Sequence, residues 1–204
     1  MFRVSVFIFV ILNSPLVFAA KEPAGIILII GDSISAAYGI NSGAGWVSLL
    51  ATKVTQQKKP YQVINASISG DTSSNGVNRT AALLQKYRPA IVIIELGGND
   101  GLRGLSLKSM QKNLKQMIEL CRQYQSKVLL AGMKIPPNYG KRYSTAFYQV
   151  YQHLAQQQNI SLIPFLLDGI GDRRELMQSD GIHPTEAAQP KILENVWHTL
   201  QALL

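Results

Sequence analysis

The segment Ile26–Ile30 is a run of five aliphatic residues that ends directly at Gly31-Asp32-Ser33. A strand that is apolar on both faces fits the interior of a parallel sheet covered by helices on each side. Shorter runs of the same kind recur along the chain, and stretches with apolar residues at helical spacing separate them. This alternation predicts an α/β fold, a three-layer α/β/α sandwich around a five-stranded parallel sheet.

The predicted elements follow one another without a linker or an internal repeat. Strands are predicted at Ile26–Ile30, Val63–Ile64, Ile91–Leu96, Val128–Ala131 and Ile160–Ile163. Helices are predicted over Asn75–Lys86, Leu107–Tyr124 and Ala188–Leu203, and around Trp46–Leu50 and Phe147–Leu154. The chain has 204 residues, a length typical of one domain, which we place at residues 20–204.

The N-terminus predicts export. One arginine precedes an uncharged apolar run over Val4–Val17, and small residues follow that run. This order is typical of a secretory signal peptide, and the run is shorter than the roughly 20 residues that span a bilayer. We expect a signal peptide over residues 1–19, with cleavage after Ala19 or, as the alternative, after Ala20. The processed protein would then be periplasmic or secreted.

Charge and cysteine content bear on the classes of partner and cofactor. The chain has 20 Lys and Arg against 12 Asp and Glu, a formal net charge of +8. These basic residues are dispersed, without aromatic residues interleaved as in a nucleic-acid-binding groove, so we predict no nucleic-acid partner. The only cysteine is Cys121, and the three histidines form no H-E-x-x-H motif. We therefore predict no metal and no cofactor.

The polar, glycine-rich segments of the chain follow the first three predicted strands. They are Gly31-Asp32-Ser33, Ser69–Thr72 and Gly97–Asp100. Sites in open α/β sheets form beyond the carboxyl ends of the strands, near the point where the strand order reverses. With a flavodoxin-like strand order of 2-1-3-4-5, the three segments would be neighbours, which predicts a site at this edge of the sheet.

Ser33 is the predicted nucleophile of that site, because it stands where a buried strand turns into a loop. A serine hydroxyl is a weak nucleophile and needs a base. The best candidate for the base is His183, in the loop before the last helix. Asp180 precedes it by three residues across a glycine and can accept a hydrogen bond from the imidazole. We interpret Asp32 as structural, its carboxylate holding loop N–H groups.

Acyl transfer also requires hydrogen-bond donors that stabilise the oxyanion. The Ser33 and Gly70 N–H groups and the Asn99 side-chain amide come from the three neighbouring segments. Taken singly, Gly70 could serve a turn, and Asn99 and Ser33 could cap helices. The G-x-S-x-G elbow of α/β-hydrolases is missing, because Ser35 stands where the second glycine belongs.

Four blocks of this sequence together resemble the SGNH hydrolase superfamily of GDSL esterases and lipases. The blocks are Gly31-Asp32-Ser33, Gly70, Gly97–Asp100 and Asp180–Pro184. The chain is most similar to the bacterial periplasmic group of multifunctional acyl-CoA thioesterases, lysophospholipases and arylesterases. The resemblance implies the SGNH hydrolase fold, a triad of Ser33, Asp180 and His183, and an oxyanion hole formed by Ser33, Gly70 and Asn99.

The sequence therefore predicts a serine esterase that hydrolyses carboxylic ester and thioester bonds of lipid-like substrates, including lysophospholipids, through an acyl-enzyme on Ser33. The predicted substrate-binding residues are Ile34, Ile135, Pro136 and Tyr139. Two alternatives stay open: a carbohydrate (acetyl) esterase of the same superfamily, and a non-catalytic exported binding module. We expect a monomer whose partner is a small-molecule substrate, and transient contact with an anionic membrane surface stays open.

Overall fold

The computed structural model describes residues 25–204, so the signal peptide predicted over residues 1–19 lies outside the described residues. The strands are β1 (Gly25–Gly31), β2 (Tyr61–Asn65), β3 (Ile91–Glu95), β4 (Lys127–Ala131) and β5 (Ser161–Ile163). The α-helices are α1 (Trp46–Gln56), α2 (Ser73–Tyr87), α3 (Gly98–Leu102), α4 (Leu107–Gln123), α5 (Lys141–Gln158) and α6 (Gln189–Leu200).

All five strands are parallel, and their order in the sheet is β2-β1-β3-β4-β5. This confirms the predicted strand order and the predicted position of the first strand in the interior. Residues Ile27–Ile30 are fully buried, since β1 pairs with a strand on each side and helices cover both faces. The last residue of β1, Gly31, pairs with the last residue of β3, Glu95, so the loops that follow these strands leave the sheet side by side.

The helices form two packed groups, α1 with α6 and α2 with α4 and α5, which gives the predicted three layers. The amphipathic helix α4 buries the stripe that the sequence indicated, and Cys121 belongs to it. Burial raises the pKa of the Cys121 thiol to about 12, so this cysteine is a core side chain and no nucleophile. No helix within residues 25–204 has the length and apolar character needed to cross a membrane.

Helix α6 is fixed to α1 at the point where both helices begin. Gln189, the first residue of α6, is buried, and its Oε1 accepts a hydrogen bond from the Trp46 N–H at 3.0 Å. Pro190 stands in the first turn of α6, where it costs no helical hydrogen bond. The loop that carries His183 runs directly into this anchored helix end.

Helices α2, α3 and α6 differ from the prediction, and α6 ends at Leu200, three residues before its predicted end. Helix α3 was not predicted, because a five-residue helix that contains two glycines has no apolar periodicity to reveal it. Helix α2 begins at Ser73, two residues before the predicted start. Thr72 caps it by accepting from the Asn75 N–H, and the first residues of the helix are polar, so the apolar pattern begins only later.

Candidate active site

The structure brings Ser33, His183 and Asp180 into one hydrogen-bonded row. The Oγ of Ser33, just beyond β1, lies 2.9 Å from Nε2 of His183, a residue 150 positions away in the chain. On the other side of the ring, Nδ1 of His183 lies 2.6 Å from Oδ2 of Asp180. In this arrangement the imidazole can take the proton of the hydroxyl while the carboxylate fixes its tautomer.

The short loop between Asp180 and His183 is folded by its own backbone. Gly181 has φ +67, a left-handed conformation that favours glycine, and it lets the chain turn back over the carboxylate. Oδ1 of Asp180 accepts the N–H groups of Ile182 at 2.9 Å and His183 at 3.0 Å, which leaves Oδ2 to the imidazole. The loop therefore orients the base before any substrate arrives.

The same hydrogen bonds set the ionisation of Asp180. Burial acts to raise its pKa, but hydrogen bonds from the His183 side chain and from the backbone N–H groups outweigh burial and lower the pKa to about 2. Asp180 is therefore a carboxylate throughout the pH range in which an imidazole titrates.

Two further side chains, Tyr38 and Gln178, hold the His183 loop against the nucleophile loop. The rings of Tyr38 and His183 lie 4.5 Å apart between centroids, at 40° to each other. The Gln178 side-chain amide donates to the carbonyls of Tyr38 at 2.8 Å and Pro184 at 3.1 Å, and its backbone N–H donates to the His183 carbonyl at 2.7 Å. The sequence prediction included neither residue. The one signal available was that Tyr38 is an aromatic residue five positions after Ser33.

The Asp32 carboxylate supports the turn at Ser33, as the sequence suggested. Its Oδ1 accepts from the Ile34 N–H at 3.1 Å, and its Oδ2 accepts from the Asn99 side-chain amide at 3.2 Å. Arg79 reinforces the same corner: its guanidinium pairs with Asp71 at 2.8 Å and donates to the Gly31 carbonyl at 3.2 Å. The loops that follow β1, β2 and β3 are thus joined by side chains.

A second buried carboxyl, Glu95, lies directly beneath the nucleophile loop. Its Oε2 accepts from the Ser35 hydroxyl at 2.6 Å and from the Asp32 N–H at 3.1 Å. Its Oε1 is buried, and no partner for it is found among residues 25–204. Burial first, and the charge of Asp32 second, raise the pKa of Glu95 well above its usual value.

The two carboxyls share this low-dielectric corner. Burial raises the pKa of Asp32 to about 6, although hydrogen bonds from Ile34 and Asn99 and the proximity of His183 oppose it. Two neighbouring carboxylates cannot both ionise cheaply without water, so we infer that Glu95 holds the proton while Asp32 carries the charge. The sequence did not reveal Glu95 as part of the site, because in the sequence it is only one residue near the end of a predicted strand.

The three predicted oxyanion donors lie in the segments that follow β1, β2 and β3, with Asn99 in the first turn of α3. Gly70 has φ +84, a left-handed conformation suited to glycine, and its carbonyl accepts from Arg103 Nη2 at 3.0 Å. The Asn99 amide donates to the Asp71 carbonyl at 3.0 Å as well as to Asp32. Over the described part of the chain, the N–H groups of Ser33 and Gly70 have no acceptor, so both are available to an oxyanion.

A cavity of about 590 Å³ opens at the Ser33 hydroxyl, with Asn99 and His183 also on its wall. Most of its remaining wall is apolar, contributed by Ile34, Leu102, Met133, Ile135, Pro136, Phe165, Leu167, Met177 and Ile182. Three of the four predicted substrate-binding residues, Ile34, Ile135 and Pro136, line it. In residues 25–204, no group of three or more His, Cys, Asp or Glu side chains is arranged to hold a metal ion.

The fourth of these predicted residues, Tyr139, has a different position, and its substrate-binding role stays a prediction. It is not on the cavity wall; its hydroxyl donates to the Leu102 carbonyl at 2.9 Å and so supports a residue that is. Phe165, Leu167 and Met177 are wall residues that the sequence did not predict. They come from the irregular segment between β5 and α6, where neither periodicity nor a motif distinguishes a wall residue from a core residue.

Known proteins with similar sequences and structures carry hydrolase names. The chain is 52% identical to Esterase TesA of Pseudomonas aeruginosa over 90% of its own length and 92% of that protein. It is 40% identical to Thioesterase 1/protease 1/lysophospholipase L1 of Escherichia coli K12, over 89% of this chain and 86% of that one. The crystal structure of the psychrotrophic esterase EstA from Pseudoalteromonas sp. superposes with a TM-score of 0.83 at 40% identity, covering 87% of this chain and 97% of EstA.

The family model for GDSL-like lipases and acylhydrolases matches residues 29–189, a span that runs from the end of β1 to beyond the His183 loop. The family that the four sequence blocks indicated is therefore confirmed. With this match and with relatives at 40% identity or more over most of their length, the chain belongs to the GDSL-like lipase/acylhydrolase family.

Proposed function

We propose that this protein is a serine esterase that hydrolyses carboxylic ester and thioester bonds of lipid-like acyl substrates, lysophospholipids among them. The observation that carries the proposal is the Ser33–His183–Asp180 row, with contacts of 2.9 and 2.6 Å, at the mouth of a largely apolar cavity. The names of the relatives, an esterase and a thioesterase/lysophospholipase, agree with this chemistry.

In the first half of the reaction, the Ser33 Oγ attacks the acyl carbonyl carbon and its proton passes to Nε2 of His183. The ionised Asp180 stabilises the imidazolium that forms. The negative charge on the former carbonyl oxygen is stabilised by the free N–H groups of Ser33 and Gly70 and by the Asn99 amide. The C–O or C–S bond then breaks, and the imidazolium gives its proton to the leaving alcohol or thiol.

In the second half, a water molecule attacks the acyl-enzyme. His183 accepts a proton from the water and returns it to the Ser33 oxygen as the free acid leaves. Asn99 serves both halves of the reaction as a hydrogen-bond donor. One N–H of its amide turns from Asp32, at 3.2 Å, toward the oxyanion, while the other keeps its 3.0 Å hydrogen bond to the Asp71 carbonyl and holds the amide in place.

The cavity supports an acyl chain longer than acetyl. Its volume of about 590 Å³ and its apolar wall suit a flexible aliphatic chain, and its polar groups are concentrated at the reacting end and at Lys134, Asp168 and Asp172. An acetyl group would leave most of this wall in contact with water. The cavity thus favours lipid-like esters over acetylated carbohydrate, and the aligned row at Ser33 disfavours an inert binding module.

A hydrolysis profile tests this proposal. We expect kcat/KM for p-nitrophenyl esters to rise from acetate to longer acyl chains, and we expect turnover of an acyl thioester and of a lysophospholipid. An optimum confined to acetyl esters would overturn the lipid-like substrate class and favour the carbohydrate esterase. Failure of a fluorophosphonate to label Ser33 would overturn the enzymatic proposal altogether.

Asn99→Ala is expected to lower kcat for a p-nitrophenyl ester by about 10²–10³-fold, because one oxyanion donor is lost. The measurement is kcat on folded protein, with the thermal midpoint recorded in parallel. Ser126→Ala is the control, since the Ser126 hydroxyl also donates to a carbonyl, that of Pro89 at 2.6 Å, but between the segments that precede β4 and β3, at the edge of the sheet opposite to Ser33. A loss of stability with unchanged kcat in Asn99→Ala would make that residue purely structural.

We further propose that the enzyme is exported by the segment at residues 1–19 and acts as a monomer on small-molecule substrates. The support for export is the uncharged run Val4–Val17 followed by small residues. The formal charge of +8 favours transient contact with an anionic membrane surface, where lipid esters would be met.

A further inference from the structure

The large hydrophobic side chains that are most exposed within residues 25–204 are concentrated at one edge of the sheet. Their exposed fractions range from 38% to 53%, and they belong to Tyr38, Ile68, Leu105, Tyr139 and Ile182. Each lies in a segment beyond the carboxyl end of a strand. Single exposed hydrophobic residues are ordinary, but a group restricted to one face marks an interaction surface. We call these five side chains the apolar rim.

Hydrogen bonds join the segments on one side of the apolar rim. Arg103 donates to the Gly70 carbonyl at 3.0 Å, which holds the segment of Leu105 against that of Ile68. The Tyr143 hydroxyl donates to the Leu105 carbonyl at 3.1 Å. A second link is the Tyr139 hydroxyl, which donates to the carbonyl of Leu102 on the cavity wall.

The other side of the apolar rim consists of Ile182 and Tyr38, beside the catalytic base His183. Ile182 lines the cavity next to His183, and the Tyr38 ring packs against the His183 ring. The two sides together border the cavity whose wall includes Leu102, Ile182 and Ser33. A surface that met the apolar rim would therefore meet the mouth of the cavity.

The exposed charges on the Leu105 and Tyr139 side of the apolar rim are positive. Arg103, Lys141 and Arg142 are exposed and adjoin Leu105 and Tyr139 in the chain. Three acidic side chains near the site are hydrogen-bonded within the protein: Asp71 to Arg79, Asp100 to Ser73 and Asp180 to His183. Glu186, four residues after Ile182, is exposed on the other side of the apolar rim. The exposed Asp168 and Asp172 lie elsewhere on the cavity wall, and Arg173 and Arg174 directly follow Asp172 in the chain.

We propose that the apolar rim, together with Arg103, Lys141 and Arg142, is a docking surface for an anionic lipid bilayer that turns the mouth of the cavity toward the membrane. Aliphatic and aromatic side chains enter the headgroup boundary, and basic side chains beside them pair with anionic headgroups. The five apolar side chains form a shallow anchor, so binding is reversible. Because the basic side chains contribute through their charge, added salt weakens binding. The purpose of this surface rests on the proposed function, but the binding itself does not.

Vesicle co-sedimentation of the Ser33→Ala protein tests the surface without hydrolysis of the lipid. We expect binding to vesicles of phosphatidylglycerol mixed with phosphatidylcholine, and weaker binding to phosphatidylcholine alone. In this background, Ile68→Ser with Leu105→Ser should weaken binding by about tenfold or more, because two aliphatic side chains no longer enter the interface. Lys141→Glu with Arg142→Glu should abolish the preference for the anionic vesicles.

Lys58→Glu with Lys86→Glu is the matched control: it makes the same change of charge at exposed positions of the opposite edge, and binding should change least there. In the active protein, Ile68→Ser with Leu105→Ser should leave kcat/KM for a soluble p-nitrophenyl ester unchanged, which shows that the fold is retained.

Three results would overturn the docking surface. They are no binding of the parent to anionic vesicles, equal loss in the opposite-edge control, or a dimer that dissociates in Ile68→Ser with Leu105→Ser while vesicle binding is absent. The last result would assign the apolar rim to a second copy of this chain. Vesicle binding by a protein that hydrolyses no ester or thioester would instead contradict the proposed function and leave the surface intact.

Discussion

Ser33→Ala is expected to lower kcat for a soluble p-nitrophenyl ester by about 10⁶-fold, the loss that removal of a triad nucleophile causes in serine hydrolases. The reason is chemical, because no other hydroxyl lies within hydrogen-bonding distance of His183 Nε2 in the described chain. Alanine retains the backbone N–H proposed as an oxyanion donor, and the Ser33 side chain bonds only to the imidazole within residues 25–204. The fold and its thermal stability should therefore change little.

The measurement is steady-state kcat on protein whose circular dichroism and thermal midpoint match the wild type. Ser35→Ala is the matched control in the same loop, since the Ser35 hydroxyl donates to Glu95 at 2.6 Å and not to the imidazole. We expect Ser35→Ala to lose stability and far less activity. Turnover by Ser33→Ala at the wild-type rate, or an equal loss in Ser35→Ala, would remove Ser33 from the nucleophile's role.

His183→Ala is expected to cost about as much as Ser33→Ala, roughly 10⁶-fold in kcat, and Asp180→Asn about 10⁴-fold. Asparagine can still accept the N–H groups that Asp180 holds at 2.9 and 3.0 Å, so the loop is preserved. It cannot stabilise an imidazolium, and it favours the wrong tautomer. The double variant Ser33→Ala with His183→Ala should be no worse than either single one, because the residues act as a unit.

The pH dependence sharpens this prediction. With its pKa lowered to about 2, Asp180 is charged at every pH at which the protein is expected to be folded and active. The deficit of Asp180→Asn should therefore persist across the whole pH–rate profile and not shrink toward acid pH. Equal losses in Asp180→Asn and His183→Ala, or a deficit that vanishes below neutral pH, would contradict the assigned roles.

The sequence was sufficient to predict the sheet and most of the site for one physical reason. Parallel strands buried on both faces appear as uninterrupted aliphatic runs such as Ile26–Ile30, and the residues that follow such strands must meet at one edge. Ser33, Gly70 and Asn99 stand in the segments that directly follow those strands, so locating the strands located them. His183 and Asp180 were recognised by their spacing and by their place before the last helix.

The features that the sequence did not reveal depend on contacts between distant segments. Glu95 reaches Asp32 and Ser35 because the register pairs the ends of β1 and β3, and nothing in the local sequence encodes that register. Tyr38 and Gln178 support the base across 140 residues of chain. The Tyr139 hydroxyl bonds to the Leu102 carbonyl, a contact that the sequence did not reveal, because the loop position of Tyr139 was predictable and the direction of its side chain was not.

The anchor between Gln189 and Trp46 has a consequence for how the protein acquires activity. Ser33 comes early in the chain, but its base lies 150 residues later, in a loop that leads into the helix that Gln189 anchors to α1. Because parallel sheets depend on distant pairings, such docking belongs to a slow folding reaction. We therefore expect a nascent chain to gain activity only after its C-terminal segment has been made and docked, so that recovery of hydrolysis during refolding reports the arrival of that segment.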